Sequence, residues 1–544
     1  MALSKLYYVY GLDTACLYTD EEYDIEQRII KARCLKEKLK NKLIPHNNKP
    51  PEYTLNHNKR MQILTQYINK NKDKLKELLS ENKEITRTIR PEKLTIKRKV
   101  SIFDSNLTRC FGMKERELNE EIIIIRVYFF DVAESIIKQG FYMNGNKYVF
   151  FSSSAGQIRT KKLVAVREDL LKKHWNTLSA GLSIEKINEL GGINRNKYLA
   201  YLSLCNSATD VWEGFDIDRS IVVDDFETEV FGTVDYIDNK TFEITRRDMK
   251  IPITHTDGCG MICTGNKDFM VRLPWVKGLL GYFPFQDFIK EYNCSPIVTD
   301  VWGDKHNIIE ENIQVIFTKS QFKLWKYYSN WNSYKENFKK YNCTAGICNE
   351  EEDEIPDATI NYQMIQTLFD LSDEELLELA QDSINDIKNL TSDKDTMLRV
   401  FGAVPYNKRK NGFQKCLEIY PELLSDIYTR HTLKDIKNSL ENDLWSAKLK
   451  VNGKYTFLMP DLYAFCEHLF MGIEVPEGLL KNGEVFCRLY PEGKLDCLRS
   501  PHLYIEHAVR QNILDEKKRR WFKTKAIYTS SFDIISKILQ FDDH

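Results

Sequence analysis

Asp257-Gly258-Cys259-Gly260-Met261-Ile262 and, ten residues on, Arg272-Leu273-Pro274-Trp275-Val276-Lys277-Gly278 are the stretches whose reading decides how the middle of this 544-residue chain folds. An Asp-Gly pair ahead of an apolar run is a turn, and its glycines let two strands cross closely because no Cβ stands between them. Short β-branched and aromatic runs surround it, at 220 to 223, 231 to 237, 241 to 245, 269 to 273 and 313 to 318. Two more precede it, Glu121-Ile-Ile-Ile-Ile-Arg-Val-Tyr-Phe-Phe130 and Lys147-Tyr-Val-Phe-Phe-Ser152. Such runs, bounded by turn residues, read as strands, so the centre of the chain is expected to be β-rich.

On the N-terminal side, residues 20 to 100 read as long helices rich in Lys, Glu, Leu and Ile, interrupted by the turn-forming stretch from Pro45 to Pro51 and ending near Pro91. Residues 24 to 99 hold 21 basic and 9 acidic side chains, an excess of +12. Two readings stay open there, a pair of solvated amphipathic helices or a phosphate-contacting arm. On the C-terminal side, residues 355 to 445 return to helical periodicity, with Leu371-Ser372-Asp373-Glu374-Glu375 placed as a cap before an apolar stripe. The 13 acidic side chains and no basic one between 350 and 386 are most simply a solvated face. Strand signals resume near 446, and Ala447-Lys-Leu-Lys-Val-Asn-Gly-Lys-Tyr-Thr-Phe457 reads as a hairpin turned at Asn452-Gly453. The fold class expected is α+β, divided at 1–110, 111–345, 346–445 and 446–544. No internal repeat of fixed period is present.

Apolar residues make up 42% of the chain and aromatic ones 12%, enough to bury several cores, which excludes disorder of the whole. The 78 Lys plus Arg nearly cancel the 79 Asp plus Glu, so net charge alone decides nothing about partners. Thirteen scattered cysteines with no Cys-x-x-Cys pair argue against a disulfide framework and for a reducing, cytoplasmic compartment. His255, Cys259 and Cys263, with Cys343 and Cys348 far off, lack the paired spacing of a tetrahedral zinc site. The start, Met1-Ala-Leu-Ser-Lys-Leu-Tyr-Tyr8, has no basic segment followed by a long apolar run, and no stretch is long and apolar enough to suggest a membrane span.

Five strings stand in a fixed order: Phe150-Phe-Ser-Ser-Ser154-Ala-Gly-Gln157-Ile-Arg159; Asn196-Lys197-Tyr198 through Ala208; Asp257-Gly-Cys-Gly260-Met-Ile; Arg272 through Lys277-Gly278, followed by Ser320-Gln321-x-Lys323; and Arg499-Ser500-Pro501-His502. Singly each marks an ordinary turn or cap. In this order, over roughly 150 to 544, they resemble the cellular RNA-silencing RNA-dependent RNA polymerases and the related YonO-type single-chain RNA polymerases of phages. The resemblance implies a helical N-terminal region, a first double-psi β-barrel, a helical connector and the beginning of a second double-psi β-barrel. It also implies templated RNA synthesis from nucleoside triphosphates, a DNA or RNA template as partner, DNA slightly favoured, no membrane, and a bacterial or phage-infected cell as the setting.

The chemistry explains why such a site is divided. Nucleotidyl transfer attacks an α-phosphate and expels pyrophosphate, so developing charge needs fixed cations, while magnesium needs hard carboxylate ligands. By resemblance Lys277 and Lys323 supply the cations; each follows a strand-like run that would hold its ammonium on a rigid element. Arg272 either assists or pairs with a carboxylate. Asp257, Gly258 and Gln321 are expected at the substrate side, although Asp257 with its glycines reads better as a structural turn than as a metal ligand. Arg499, a planar fork of donors ahead of Pro501, resembles the arginine that approaches the ribose hydroxyls of the incoming nucleotide. The segment Ile527-Tyr528 through Phe541-Asp542 resembles the approach to an Asp-x-Asp-Gly-Asp loop, with Asp542 as its first aspartate and metal ligand. Asp543-His544 follows where the remainder of that loop is expected, and the string occurs nowhere in the sequence. The expectation is that a second polypeptide or a further C-terminal segment supplies the loop and its Mg2+; the alternative is a catalytically inactive nucleic-acid-binding or regulatory protein on a polymerase-like barrel. His502 and Glu506 do not have metalloprotease spacing and read as a hydrogen-bonded pair on a helix.

Overall fold

Ile122, Ile123, Ile124 and Ile125 are all buried at 5% exposure or less, so the strand that carries them, Leu118–Arg126, is covered on both faces. It sits inside a seven-stranded sheet whose order is Arg87–Thr88, Phe141–Met143, Asn146–Ser153, Lys162–Arg167, Leu118–Arg126, Leu6–Asp13 and Lys99–Phe103. The structure is a computed structural model that describes residues 5–43, 56–153, 156–158, 160–366, 368–407, 410–499 and 507–535. The chain divides into two compact units, one formed by Lys5–Thr209 with Lys340–Cys343, the other by Asp210–Lys339 with the chain from Thr344 onward.

Both sides of the expected boundary at 110/111 lie in the first unit, and the chain passes into the second at 209/210. The cause is strand pairing: Leu6–Asp13 lies antiparallel to Lys99–Phe103 and parallel to Leu118–Arg126, which commits both sides of the expected boundary to one sheet. The N-terminal helices, Asp20–Leu43 and Lys59–Glu81, then pack on that sheet through Ile25, Ile29, Ile68, Leu75 and Leu79 against Ile123 and Ile125. Asn58 caps the second of them by accepting from Met61 N–H at 3.2 Å. A buried ion pair anchors the base of the first: both side chains are fully shielded, Arg87 Nη1 meets Glu22 Oε2 at 2.6 Å, and Asn82 donates to the other Glu22 oxygen at 2.9 Å. The expected turn from Pro45 to Pro51 lies outside the described residues.

The second unit holds a mixed seven-stranded sheet ordered Asp210–Val211, Gly346–Glu350, Phe269–Leu273, Val276–Tyr282, Cys259–Ile262, Val315–Thr318 and Ser220–Val223. Two of its neighbouring pairs are parallel, Cys259–Ile262 with Val276–Tyr282 and Val315–Thr318 with Ser220–Val223. A five-stranded sheet follows, ordered Leu458–Pro460, Ile527–Thr529, Glu484–Phe486, Ala508–Asn512 and Gly493–Cys497. The two sheets share one core, in which Met261, Phe283 and Ile316 meet Leu462, Phe465, Phe486 and Tyr528. Between them in sequence lie the connector helices, Asp373–Asn389, Lys394–Phe401, Gly412–Ile419 and Ile427–Trp445, around Leu390, Phe401, Leu417 and Leu433. Ser372 and Glu375 close the expected capping box. The α+β class holds. The expected hairpin at Asn452-Gly453 does not: those residues lie inside the single strand Leu449–Lys454, at a break in register, and that strand pairs with Asp357–Ile360. A long-range partner there outweighs the local turn preference.

Asp268 sits at the mouth of the hairpin formed by Phe269–Leu273 and Val276–Tyr282, with Oδ1 accepting from Tyr282 N–H at 2.8 Å. It is fully buried beside Thr524, and burial pushes its carboxyl up to about 7 from the usual 3.8, against the smaller opposing pull of Thr524 and the Tyr282 N–H. Because the folded state holds this proton more tightly than the unfolded chain, its contribution to stability is present below about pH 4 and is lost as pH rises through about 7. Asn has no such proton. Chemical denaturation across this range should show the native chain losing stability with rising pH, with that part of the slope missing in Asp268→Asn.

Candidate active-site cleft

The Gln321 side chain is where the strands of the second unit are tied. Its Oε1 accepts from Thr318 N–H at 3.1 Å, and its Nε2 donates to Leu279 O at 2.9 Å and Gly258 O at 3.3 Å. One carboxamide thus serves the strand ending at Thr318, the strand containing Leu279 and the turn leading into Cys259–Ile262. Gly258 takes a φ of 66°, a region that penalises a side chain. Gly278 allows the crossing: a Cβ there would collide with Gly258 O and the Gln321 amide. The expected close-crossing turn is present. Gln321, expected to face substrate, is fully buried with its amide occupied, so it shapes the wall of the site from inside.

This knot aligns the lysines. Val276 and Phe322 form an antiparallel bridge; Lys277 N–H donates to Gln321 O at 3.1 Å, and Lys323 N–H to Trp275 O at 2.9 Å. Lys277 and Lys323 therefore flank the bridge as diagonal neighbours, a relation that sets their backbones roughly 7 Å apart. Arg272 stands opposite Lys277 in the adjoining hairpin and, half-buried, donates to Val271 O at 2.7 Å. Lys277 is exposed, whereas Lys323 is half-buried with its ammonium on Ser320 O. Burial pushes the Lys323 ammonium below its usual value, and the carboxylates of Asp257 and Asp225 oppose that.

Asp225 is a residue that the sequence pattern did not single out. Its carboxylate accepts from Ser320 N–H at 2.9 Å and Ser320 hydroxyl at 2.6 Å, and Gly258 N–H donates to that same hydroxyl at 2.8 Å. Burial raises the Asp225 carboxyl above the usual range despite these bonds. The Ser320 loop, the Asp257-Gly258 turn and Lys323 are held as one body by this chain of contacts.

Asp257 and Gly258 line a cleft of about 970 Å3 within the second unit, and Arg499, just past the strand Gly493–Cys497, lines it too. The cleft wall is apolar at Leu279 and Leu458, with Lys454 and Lys494 as further cations that the sequence reading missed. Lys454 was hidden by the mistaken hairpin at Asn452-Gly453. Asp542, Ser500 through Glu506 and, in the first motif, Ser154 and Arg159 lie outside the described residues.

No group of three or more His, Cys, Asp or Glu side chains among the described residues is arranged to hold a metal ion. Asp225 is spent on Ser320, and Asp257, near enough to raise the Asp225 carboxyl, does not complete a set of three ligands, so the described residues do not fit magnesium. His255 is fully buried with Nε2 at 2.6 Å from the Thr228 hydroxyl, and burial holds it down at about 4. Cys259 packs its sulfur 3.6 Å from Met459 Sδ. That trio is core.

Residues 95–272 match the RNA dependent RNA polymerase family. Over 544 residues, 99% of this chain, the sequence is 47% identical to the DNA-directed RNA polymerase YonO of Bacillus phage SPbeta. The chain spans 63% of that protein's length.

Replacing Gln321 by Leu keeps the volume and takes the partner from Thr318 N–H and Leu279 O, while Gly258 O keeps Leu279 N–H at 2.9 Å. Each unpaired buried group costs about 1–3 kcal/mol, so urea unfolding of Gln321→Leu is expected to show a loss of about 2 kcal/mol or more by the same principle. Unchanged stability would mean that the carboxamide does not hold the strands.

Proposed function

Because the chain belongs to the family of YonO-like and RNA-dependent RNA polymerases, we propose that it forms part of a nucleic-acid-templated RNA polymerase that joins nucleoside triphosphates. DNA is the favoured template, since the relative that matches along nearly the whole chain is DNA-directed. The observation that carries the reading is the pairing of Lys277 and Lys323 across the Val276–Phe322 bridge, beside the Asp257-Gly258 turn of a cleft that Arg499 also lines. The parallel strand pairs on either side of that turn support a double-psi barrel reading of the seven-stranded sheet.

In this reading the 3′ hydroxyl of the growing strand gives up its proton to water and its oxygen bonds to the α-phosphorus, while the bond from that phosphorus to the α–β bridging oxygen breaks and pyrophosphate leaves with that oxygen. Lys277, exposed, meets the phosphates as they arrive. Lys323 is fixed by Ser320 and desolvated, so its charge acts on the developing negative charge with less screening than a surface lysine. Arg272 steadies the hairpin that carries Lys277. Arg499 contacts the ribose, and Gln321 acts through the residues it positions. Magnesium, which this reaction class draws on, is assigned to carboxylates outside the described residues, Asp542 and an Asp-x-Asp-Gly-Asp loop that the 544 residues do not contain. The partners are then the template and the triphosphates, with the loop carried by a second polypeptide or by a further C-terminal segment. The setting is the cytoplasm of a phage-infected bacterium. Among the described residues no helix is long and apolar enough to cross a membrane.

The test is primer-independent and primed RNA synthesis by the chain joined by a polypeptide bearing the aspartate loop. Lys277→Ala and Lys323→Ala are expected to slow nucleotide addition by roughly 10²–10³ fold each, the scale of a lost transition-state contact. Arg499→Ala should instead erode the preference for ribonucleotides over deoxynucleotides. Full activity in both lysine variants overturns the assignment of the cationic site.

A further inference from the structure

The helical hairpin of the first unit carries its charge at one end. In the half nearer the connection between its helices, residues 28 to 42 and 59 to 70 hold ten basic side chains and a single acidic one, Glu37. In the half nearer the sheet, residues 20 to 27 and 71 to 84 hold four basic and nine acidic. Packing divides at the same place. Glu22, Ile25, Ile29 and Ala32 are the buried residues of the helix Asp20–Leu43, and none follows Ala32; Leu35 is 58% exposed. Past Ala32 no residue of the first helix joins the sheet core, and buried Met61 of the second helix lines a groove with Arg33, Lys36 and Lys40.

Between the two helices at this end runs an open groove of about 910 Å3, lined by Arg33, Lys36 and Lys40 together with Gln62, Gln66 and Asn56. Met61, Cys34 and Glu37 line it as well, so its wall mixes apolar and polar groups with the three cations; Lys40 approaches Glu37 only at 3.8 Å. On the outer side of Lys59–Glu81, Ile63 and Tyr67 are exposed one turn apart, with Lys59 and Lys70 on the same helical face.

We propose that this basic end of the hairpin is a sequence-independent grip on the sugar-phosphate backbone of a nucleic-acid duplex, outside the catalytic cleft. The inference rests on the polymerase reading and extends it to a second binding surface in the other unit. Charge density selects the partner. The stretch 28 to 42 rises about 21 Å at 1.5 Å per residue, and a duplex presents one negative charge per roughly 1.7 Å of axis over that length. An acidic protein surface does not sustain that density, and a mobile counterion shell gives the duplex a release term that a protein lacks. The polar groove residues donate and accept without regard to base identity, which suits holding a template or product while it moves.

Binding of a short fluorescein-labelled DNA duplex, measured by anisotropy from low to physiological salt, tests the proposal. The triple variant Arg33→Gln, Lys36→Gln, Lys40→Gln should lower the slope of log K against log salt by up to about 3, near 0.9 per lost phosphate contact, and weaken binding at least about tenfold at moderate salt. The charge-keeping pair Lys36→Arg, Lys40→Arg should retain the native slope. Lys72→Gln, Lys74→Gln, Lys76→Gln removes the same charge nearer the sheet and should leave the slope close to native. An unaltered slope in the first triple, equal losses in both triples, or no duplex binding by the native chain each overturns the grip; the first assigns the hairpin to a protein contact. The polymerase reading fails separately, by absence of nucleotide incorporation in the completed native enzyme.

Discussion

A single buried carboxamide holds the candidate site in register. Gln321 satisfies one donor and two acceptors that belong to three different backbone segments, and all of them converge at the crossing of Gly258 under Gly278. Beyond the crossing the two strands run as a parallel pair, and Gly258 O also takes Leu279 N–H at 2.9 Å. Thr318 N–H turns to the carboxamide instead, since a buried backbone donor left without an acceptor is costly. Once Gln321 is fixed, its own carbonyl takes Lys277 N–H, the Val276–Phe322 bridge forms, and Lys323 follows on the other side. The cations are thus positioned by a residue that never reaches the cleft.

The same body extends through Ser320 to Asp225 and through Gly258 to Asp257. It stands on a core shared with the five-stranded sheet, where Cys259 meets Met459 and Phe226 stacks near Phe465. That second sheet is itself pinned by buried carboxylates. Asp461 caps the helix Leu462–Met471 and also accepts from Leu479 and Leu480 N–H at 2.7 and 3.1 Å. Asp533 takes Arg510 and Gly483 N–H at the start of the segment that leads towards Asp542. Rigid walls on both sides suit a site whose work is electrostatic, because preorganised charge needs no rearrangement when the transition state forms.

In the first unit the order of dependence is different. The Glu22–Arg87 pair and the sheet core secure only the near half of the helical hairpin, where acidic side chains outnumber basic ones. Like charges crowded at the far end repel one another and are tolerated because that end is solvated. A cluster of this kind lowers the stability of the free hairpin slightly and raises its affinity for a polyanion, so its separation from the packed half is physically consistent with a binding role.

What the sequence determined by itself was local or serial. Periodicity placed long helices within residues 20 to 100, where Asp20–Leu43 and Lys59–Glu81 form, β-branched runs placed strands at 147 to 152, 220 to 223 and 269 to 273, and Ser372 marked its cap. The order of the Asp257-Gly, Lys277-Gly and Ser320-Gln-x-Lys323 strings announced the family, and the charge excess between 24 and 99 was legible as a count. Only the tertiary structure decided that Leu6–Asp13 joins Leu118–Arg126, that Asn452-Gly453 lies within a strand paired to Asp357–Ile360, that Gln321 faces inward, and that Asp225, Lys454 and Lys494 belong near the site. Periodicity records which face of an element is apolar, because burial acts on each residue in turn. It carries no record of which distant strand supplies the hydrogen bonds, since every backbone offers the same donors and acceptors, and the choice among partners is made by the packing of the whole core.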